Sequence, residues 1–188
     1  MNKIKMQPLV NHFLIAMPDM QDPFFQEGVV YLCEHNEEGA MGFLVNKPSS
    51  IFFGQLFDQV RERIPKKHDD DIVFFGGPVQ SDRGFLLHAP VGQWQSSLVI
   101  DSDIAITTSK DILTGIAKDN GPEDLLVALG YSAWDKGQLE DELARNDWLT
   151  VPASKEVIFH TPPKERYQKA LSLLGITPDM LVSKAGHA

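Results

Sequence analysis

The sequence has little cysteine and little positive charge. Cys33 is the single cysteine among 188 residues, which excludes an internal disulfide and is typical of a reducing compartment. Lysine and arginine number 17 against 26 aspartate and glutamate residues, so the formal net charge is −9. Because DNA affinity rests mainly on lysine and arginine, this balance argues against direct DNA binding. The one basic run, Arg61 to Lys67, leads directly into Asp69–Asp71 and is read as a solvated loop.

Long hydrophobic runs are also missing from the sequence. No apolar stretch approaches the roughly 20 residues of a membrane span, and the run Phe13–Met17 lacks the small-residue cleavage site of a signal peptide. Repeats, low-complexity tracts and Gly/Ser linkers are absent as well. We therefore expect one domain over residues 1–188, with a core at 13–175 and a loose tail at 176–188, in a cytoplasmic protein without membrane contact.

The first half contains alternating runs that are typical of β-strands. Phe13–Met17 predicts one strand, and the runs Gly28–His35 and Ala40–Asn46 predict a hairpin around residues 36–39. Apolar residues at helical spacing predict a helix that is capped by Ser49 or Ser50 and ends near Ile64. Two further antiparallel pairs are predicted, Ile72–Phe75 with Gly84–His88 and Leu98–Ile100 with Ile104–Thr107.

The second half has a larger share of helical patterns. Ser109, Ser132 and Thr161 are placed to cap three helices, of which the second runs to about Arg145 and the third ends at Gly175. Two more strands are predicted among these helices, at Leu125–Leu129 and Val157–Phe159. Because the predicted sheet pairs are mostly antiparallel, the fold class is α+β in a single domain.

Cys33, Glu34 and His35 place a thiol, a carboxylate and an imidazole side by side. With a turn at 36–39, Cys33 would face Gly42 and His35 would face Ala40, and strand alternation would put both side chains on one face. The small residues opposite would leave a shallow recess. Zinc usually takes at least three protein ligands, so two residues do not predict a metal site. A reactive Cys33–His35 pair remains an alternative, while the preferred interpretation is structural.

Two other motifs resemble catalytic or phosphate-binding loops without matching them. The stretch "GYSAW" at 130–134 is close to the G-x-S-x-G elbow of hydrolases, but Trp134 replaces the last glycine and no parallel sheet is predicted. Gly76-Gly77-Pro78 lacks the lysine of a phosphate-binding loop. Ser132 is therefore interpreted as a helix cap, and the two glycines as a bulge or turn.

Four polar residues are candidates for binding an anionic ligand. Arg83 and His88 lie near the two ends of one predicted strand. Asn46 and Lys47 precede the predicted helix at 49–64, and helix N-termini attract anions. These residue types indicate a place for a ligand and no particular reaction.

Four long motifs resemble the YqgE/AlgH family of bacterial proteins. They occur in order between Phe13 and Trp148, as "FLIAMPDMQDPFFQEGVVYLCEHNEEGAMGFLVNKP", "FFGGPVQSDRGFLLH", "TTSKDIL" and "LVALGYSAWDKGQLEDELARNDWL". The resemblance implies a mixed α+β domain whose bent sheet forms a partial barrel flanked by helices. Members of this family are largely of unknown function. One lineage carries a regulator label, from a link to exopolysaccharide production, and no catalytic residue or cofactor follows from the resemblance.

These observations together predict a non-enzymatic binding or regulatory protein that acts through an unknown protein or small-molecule partner. No cofactor is expected. The alternative is a small enzyme that acts on an unidentified metabolite through Cys33 and His35.

Overall fold

The computed structural model describes residues 8–58, 63–68 and 70–185, with side chains through residue 181. These residues include ten strands, β1 His12–Ala16, β2 Val29–Asn36, β3 Gly39–Leu44, β4 Pro48–Phe52, β5 Ile72–Phe75, β6 Val79–Ala89, β7 Ser97–Val99, β8 Ala105–Thr107, β9 Asp124–Asp135 and β10 Trp148–Pro152. Five α-helices accompany them, α1 Gly54–Phe57, α2 Asp111–Ala117, α3 Gln138–Ala144, α4 Arg166–Ser172 and α5 Pro178–Ala185.

The strands form one curled, half-barrel sheet. Its main order is β10-β1-β2-β3-β9-β6-β8-β7, and all neighbours along this path are antiparallel. On a side branch, β5 runs parallel to β9 and antiparallel to β4. The prediction of a single-domain α+β fold with a mostly antiparallel bent sheet is confirmed. The predicted pairing of β5 with β6 is wrong, because each of the two strands pairs with β9 instead.

Strand β9 is the centre of the sheet and replaces a predicted turn and helix. It continues from Asp124 through Gly130 and Ser132 to Asp135. Gly130 has a φ of +70°, and a Cβ atom there would lie 2.4 Å from the carbonyl oxygen of Gly77. The glycine therefore allows a bend and a close backbone approach within one strand rather than a chain reversal. The capping role of Ser132 is wrong, since its buried hydroxyl donates to the Gly76 carbonyl at 3.0 Å.

Two other predicted elements differ from the structure. The stretch before Phe53 is strand β4 rather than helix, and α1 covers only one turn, in which Phe57 is buried. Residues 59–62 of the predicted helix lie outside the described part of the chain. The predicted strand Val157–Phe159 belongs to a π-helical turn, Glu156–His160. Ser109 and Thr161 do not cap the N-termini of helices, because the Ser109 hydroxyl contacts Asp111 and the Thr161 hydroxyl donates to the Glu156 carbonyl.

The core consists of three apolar clusters on the faces of the sheet. The first includes Tyr31, Cys33 and Phe43 and packs against α4, and α5 contributes the buried side chain of Leu181. The second lies under α3 and includes Leu139, Trp134 and Trp148. The third packs α1 and α2 against β5, β6 and β9.

Helix α5 covers 178–185, within the segment that we expected to be a loose tail. Among the described residues, no helix is long and apolar enough to span a bilayer.

Candidate functional site

A bulge at Cys33 changes the register of the β2–β3 hairpin. His35 pairs with Ala40 as predicted, but beyond Glu34 the register shifts by one residue, so that Gly42 faces Leu32. The predicted pairing of Cys33 with Gly42 is therefore wrong, and Tyr31 faces Phe43. An extra residue in one strand lies opposite no single partner, and it changes which side chains share a face.

The bulge buries the thiol of Cys33 in the first core cluster. The side chain is 4% exposed, and its sulfur lies 3.5 Å from the Tyr31 carbonyl oxygen. Burial raises the pKa of the thiol well above its usual value, with a further contribution from Glu34. The predicted recess is absent, because a Cβ atom on Gly42 would lie 2.6 Å from the Tyr31 carbonyl oxygen. This environment is that of an inert structural cysteine.

His35 faces a different set of neighbours from Cys33. Its Nδ1 accepts a hydrogen bond from the Leu9 backbone N–H at 3.0 Å, and its Nε2 lies 2.7 Å from Oε1 of Glu140 on α3. Since Nδ1 is an acceptor, the proton of the neutral ring is on Nε2, which donates to Glu140. Burial opposes ionisation of Glu140, but the hydrogen bond from His35 lowers the pKa of this carboxyl overall. His35 thus ties the start of the described chain to α3.

Asn46 and Lys47 hold a loop rather than the N-terminus of a helix. Asn46 accepts from the Val29 N–H at 2.9 Å and donates to the Glu27 carbonyl at 2.8 Å, while the Lys47 ammonium donates to the Gln26 carbonyl. Burial lowers the pKa of Lys47 against the opposing effect of Glu27. Gln26 and Glu27 line a cavity of about 340 Å³, and neither Asn46 nor Lys47 is among its lining residues.

His88 is an internal residue whose two ring nitrogens both have partners. Nδ1 lies 3.0 Å from the Pro90 carbonyl oxygen, and Nε2 lies 2.7 Å from the hydroxyl of Thr107. The Thr107 hydroxyl also contacts that of Ser97 at 2.6 Å. Burial lowers the pKa of His88 although the contact with Pro90 raises it. His88 has no exposed surface, so it does not form a surface ligand-binding site together with Arg83.

Arg83 lies beside the largest of the described cavities, an open groove of about 500 Å³ between β6, the end of β8 and the start of α2. Its rim is polar and its floor is apolar. The residues that line it are Leu56, Gln80, Asp82, Arg83, Gly84, Leu86, Thr108, Ser109, Lys110 and Leu113. We call this surface the cationic groove.

The charges of the cationic groove are available for a ligand. Arg83 and Lys110 are exposed, and neither forms an ion pair with any residue that the structure describes. Arg83 contacts the Gln80 side chain at 3.3 Å, and its guanidinium lies 5.4 Å from the centre of the Phe85 ring. Asp82 also lines the groove, and the Asp111 carboxylate lies next to it, where it accepts from the Ser109 hydroxyl and the Gln95 N–H. Arg83 and Lys110 remain without an ion-pair partner among the described residues.

Gly84 leaves the centre of the cationic groove open. A Cβ atom at this position would have no heavy atom within 4 Å. Thr108 and Ser109 also line the groove, and the Ser109 hydroxyl there donates to Asp111 and accepts from the Ser96 N–H. The groove can therefore accommodate a carboxylate or phosphate whose apolar portion packs on the floor.

The sequence interpretation missed Lys110 and the hydroxyls of Thr108 and Ser109. They stand together in the motif "TTSK" between a strand and a helix, where the sequence predicted a helix cap at Ser109 and no binding role. The sequence carried no signal that this segment would meet Arg83. They line the same groove as Arg83 because β8 pairs with β6 in the register Leu86 to Thr107.

Arg166 is a second residue that the sequence interpretation missed. It is 6% exposed, and it donates to the Val45 and Thr161 carbonyls at 2.6 and 2.8 Å. Burial lowers its pKa to about 10, so the guanidinium stays charged at neutral pH. It lies 4.9 Å from the centre of the Phe74 ring and connects α4 to the sheet.

Within the described part of the chain, no group of three His, Cys, Asp or Glu residues lies close enough together to hold a metal ion.

Comparison with known proteins places this architecture in a family. A family model described as AlgH-like matches residues 13–179. A UPF0301 protein of Chromobacterium violaceum is 55% identical over 183 residues, which cover 96% of this chain and 97% of that protein. A UPF0301 protein of Vibrio cholerae is 51% identical over 185 residues, with 96% and 99% covered.

Two solved structures have the same fold. The solution structure of the AlgH protein from Pseudomonas aeruginosa matches with a TM-score of 0.80 and 44% identity over 100% of both chains. A crystal structure of a Corynebacterium diphtheriae protein matches with a TM-score of 0.74 at 16% identity, which shows likeness of fold alone. Since the family model spans most of the chain and the relatives share about half of their residues with it, the protein belongs to the AlgH-like family, also known as YqgE/AlgH.

Proposed function

We propose that this chain is a non-enzymatic, cytoplasmic binding protein of a regulatory kind, which takes an anionic ligand or partner group into the cationic groove. The observation that carries the proposal is the position of Arg83 and Lys110, two exposed cations without ion-pair partners in the described chain, on the rim of a groove with an apolar floor. A ligand with a carboxylate or phosphate and an apolar portion matches both features.

The enzymatic alternative finds less support in the geometry. A catalytic cysteine needs an accessible thiolate and a base beside it. Cys33 is buried with a raised pKa, and His35 directs its two nitrogens at Leu9 and Glu140. Neither side chain lines the cationic groove.

Native purification followed by mass spectrometry tests the proposal. The tagged protein and two variants are isolated in parallel from the cytoplasm of the bacterium that produces the protein. In the first, Arg83→Gln and Lys110→Gln remove both cations of the groove. In the second, Gly84→Leu fills the groove, since a side chain can project there into open space. We expect an anionic metabolite or an acidic protein that copurifies with the wild type and is depleted about tenfold or more in both variants.

A charge-matched control distinguishes the groove from general electrostatics. Lys136 and Lys164 are exposed and lie outside the groove, so Lys136→Gln with Lys164→Gln removes the same charge elsewhere. This control is expected to keep the copurifying species. Equal loss in the control and the groove variants, or retention in all of them, contradicts the proposal.

A further inference from the structure

Strand β7 is a free edge of the sheet next to the cationic groove. It ends the main strand order, and β8 is its one partner among the described strands. The backbone bonds between Thr108 and Ser96 and between Ile100 and Ile104 show which positions face β8. Because an antiparallel ladder alternates, Leu98 faces β8 in the same way, whereas the N–H and C=O groups of Ser97 and Val99 point to the open side.

Exposed apolar side chains mark this edge. Leu98 is 39% exposed and Val99 is 56% exposed, and β7 contains no charged residue and no proline. Natural edge strands often carry charged residues or proline, which prevent pairing with another strand. The edge of β7 therefore keeps its capacity to pair.

An apolar pocket of about 290 Å³ lies along the same edge. Met41, Phe43, Phe85, Leu98 and Ile106 form its walls. Leu98 and Ile106 are paired across β7 and β8, so the pocket opens on one face of this ladder. An apolar side chain of a strand added to β7 would find this pocket on its own face, because neighbouring strands align their side chains.

The apolar pocket and the cationic groove meet at Thr108, which lines both. Ser96, at the start of the edge, donates its N–H to the Ser109 hydroxyl at 3.1 Å, and Lys110 follows directly. Asp101 and Asp103 lie beyond the opposite end of β7. The Ser96 end of the edge therefore has Lys110 and the Asp111 carboxylate, which accepts from the Gln95 N–H and the Ser109 hydroxyl. The other end has Asp101 and the ion pair of Asp103 with Lys155.

These three features specify one kind of occupant. We propose that the β7 edge binds an extended peptide segment of a partner protein, which adds a strand beside Ser97–Val99, inserts an apolar side chain into the pocket and places acidic residues beside Arg83 and Lys110. The inference rests on the proposed function and names its partner class. The unpaired backbone groups require an extended chain, and the groove requires the acidic end by charge complementarity.

A second copy of this chain is a weaker match to the edge. Each copy carries a net charge of −9, so two copies repel one another. The strand itself spans three residues, whereas a stable interface buries about 800 Å² per partner. A short peptide carries less negative charge than a second copy, and it can also fill the apolar pocket and place its acidic end beside the two cations of the groove.

Selection from a phage-displayed library of random linear peptides on the full-length protein tests the inference. We expect selected sequences to combine apolar residues at alternate positions with acidic residues at one end. A synthetic selected peptide is then titrated against variants by fluorescence anisotropy. Val99→Pro removes one outward N–H without breaking a bond to β8, because that group points away from the sheet. It should weaken binding about tenfold, and Val99→Thr, which keeps the N–H, should weaken it little.

The remaining outcomes separate this inference from the proposed function. Arg83→Gln with Lys110→Gln should weaken the peptide about tenfold or more. If peptides are sensitive to these cation variants but indifferent to Val99→Pro, the groove binds anions without the edge, and this inference fails while the proposed function stands. Failure to select acidic peptides also overturns the inference. A dimer in sedimentation that Val99→Pro dissociates would overturn it as well, in favour of a second copy as occupant.

Discussion

At the scale of single residues, Cys33 and His35 are two positions apart but have different neighbours. One extra residue in β2 places Cys33 in the first core cluster and directs His35 toward α3. The sequence predicted the turn and the pairing of His35 with Ala40, because the hydrophobic pattern and the turn residues fix the start of the hairpin. It did not predict the bulge, because Cys33 and Glu34 carry no glycine or proline signal. The question of a reactive pair therefore depended on packing that is not local.

Cys33 is expected to react slowly with iodoacetamide in the native protein. Its thiol is 4% exposed and burial raises its pKa well above the usual value, so the reactive thiolate is scarce and shielded. Mass spectrometry should show little labelling at pH 8 and rapid labelling in urea. Rapid native labelling at pH 6 that His35→Ala abolishes would contradict the structural role and support the enzymatic alternative.

His88 is expected to make the fold sensitive to acid. Burial lowers its pKa in the folded state, so protons bind more readily to the unfolded chain, in which the histidine pKa is about 6.5. The stability that neutral His88 contributes is present above this value and is lost as the pH falls through the lowered folded pKa. Urea melts of wild type and His88→Gln between about pH 5 and 8 measure the effect. We expect a steeper loss in the wild type; equal slopes would show that His88 is not held neutral.

At the scale of elements, the sequence located strands better than it assigned their partners. β1, β2, β3, β5, β7 and β8 appear close to their predicted positions. Gly130 was mistaken for a turn, since a glycine that bends a strand and one that reverses the chain look alike in a sequence. The difference is set by Gly77, whose backbone approaches Gly130 from a distant segment. The cationic groove also depends on segments that are distant in sequence. Arg83 and Lys110 line the same groove because β6 pairs with β8.

Helix α3 provides a matched pair of leucines. Leu139 and Leu143 are four residues apart, but Leu139 is 1% exposed and packs in one cluster with Trp134 and Trp148, whereas Leu143 is only half-buried. Leu139→Ala should lower the free energy of unfolding by about 2–5 kcal/mol through transfer and cavity costs. Leu143→Ala should cost about 1–2 kcal/mol, since less of its surface is removed from water. The two substitutions have the same effect on helix propensity, so urea melts isolate burial. Equal losses would show that the helix is rotated from this orientation.

At the scale of the whole molecule, charge separates the groove from the rest of the surface. The chain carries 26 acidic residues against 17 basic ones, yet two exposed cations line the cationic groove beside the carboxylate of Asp82. A negative molecule repels most polyanions at a distance, whereas two cations without ion-pair partners in the described chain attract a small anionic group that reaches the groove. The fold thus favours a partner with few negative charges, close together and next to apolar groups.

The same charge distribution predicts that the protein does not bind double-stranded DNA with specific affinity at physiological salt. Specific DNA complexes typically neutralise about 6–10 phosphates with lysine and arginine, and the groove offers two cations within a chain of net charge −9. Fluorescence anisotropy with labelled duplexes of several sequences, at about 0.05 and 0.15 M salt, measures this directly. Weak retention at the lower salt should disappear at the higher one, equally for all sequences. A sequence-dependent signal that persists at the higher salt, and that Arg83→Gln with Lys110→Gln abolishes, would instead assign the groove to nucleic acid.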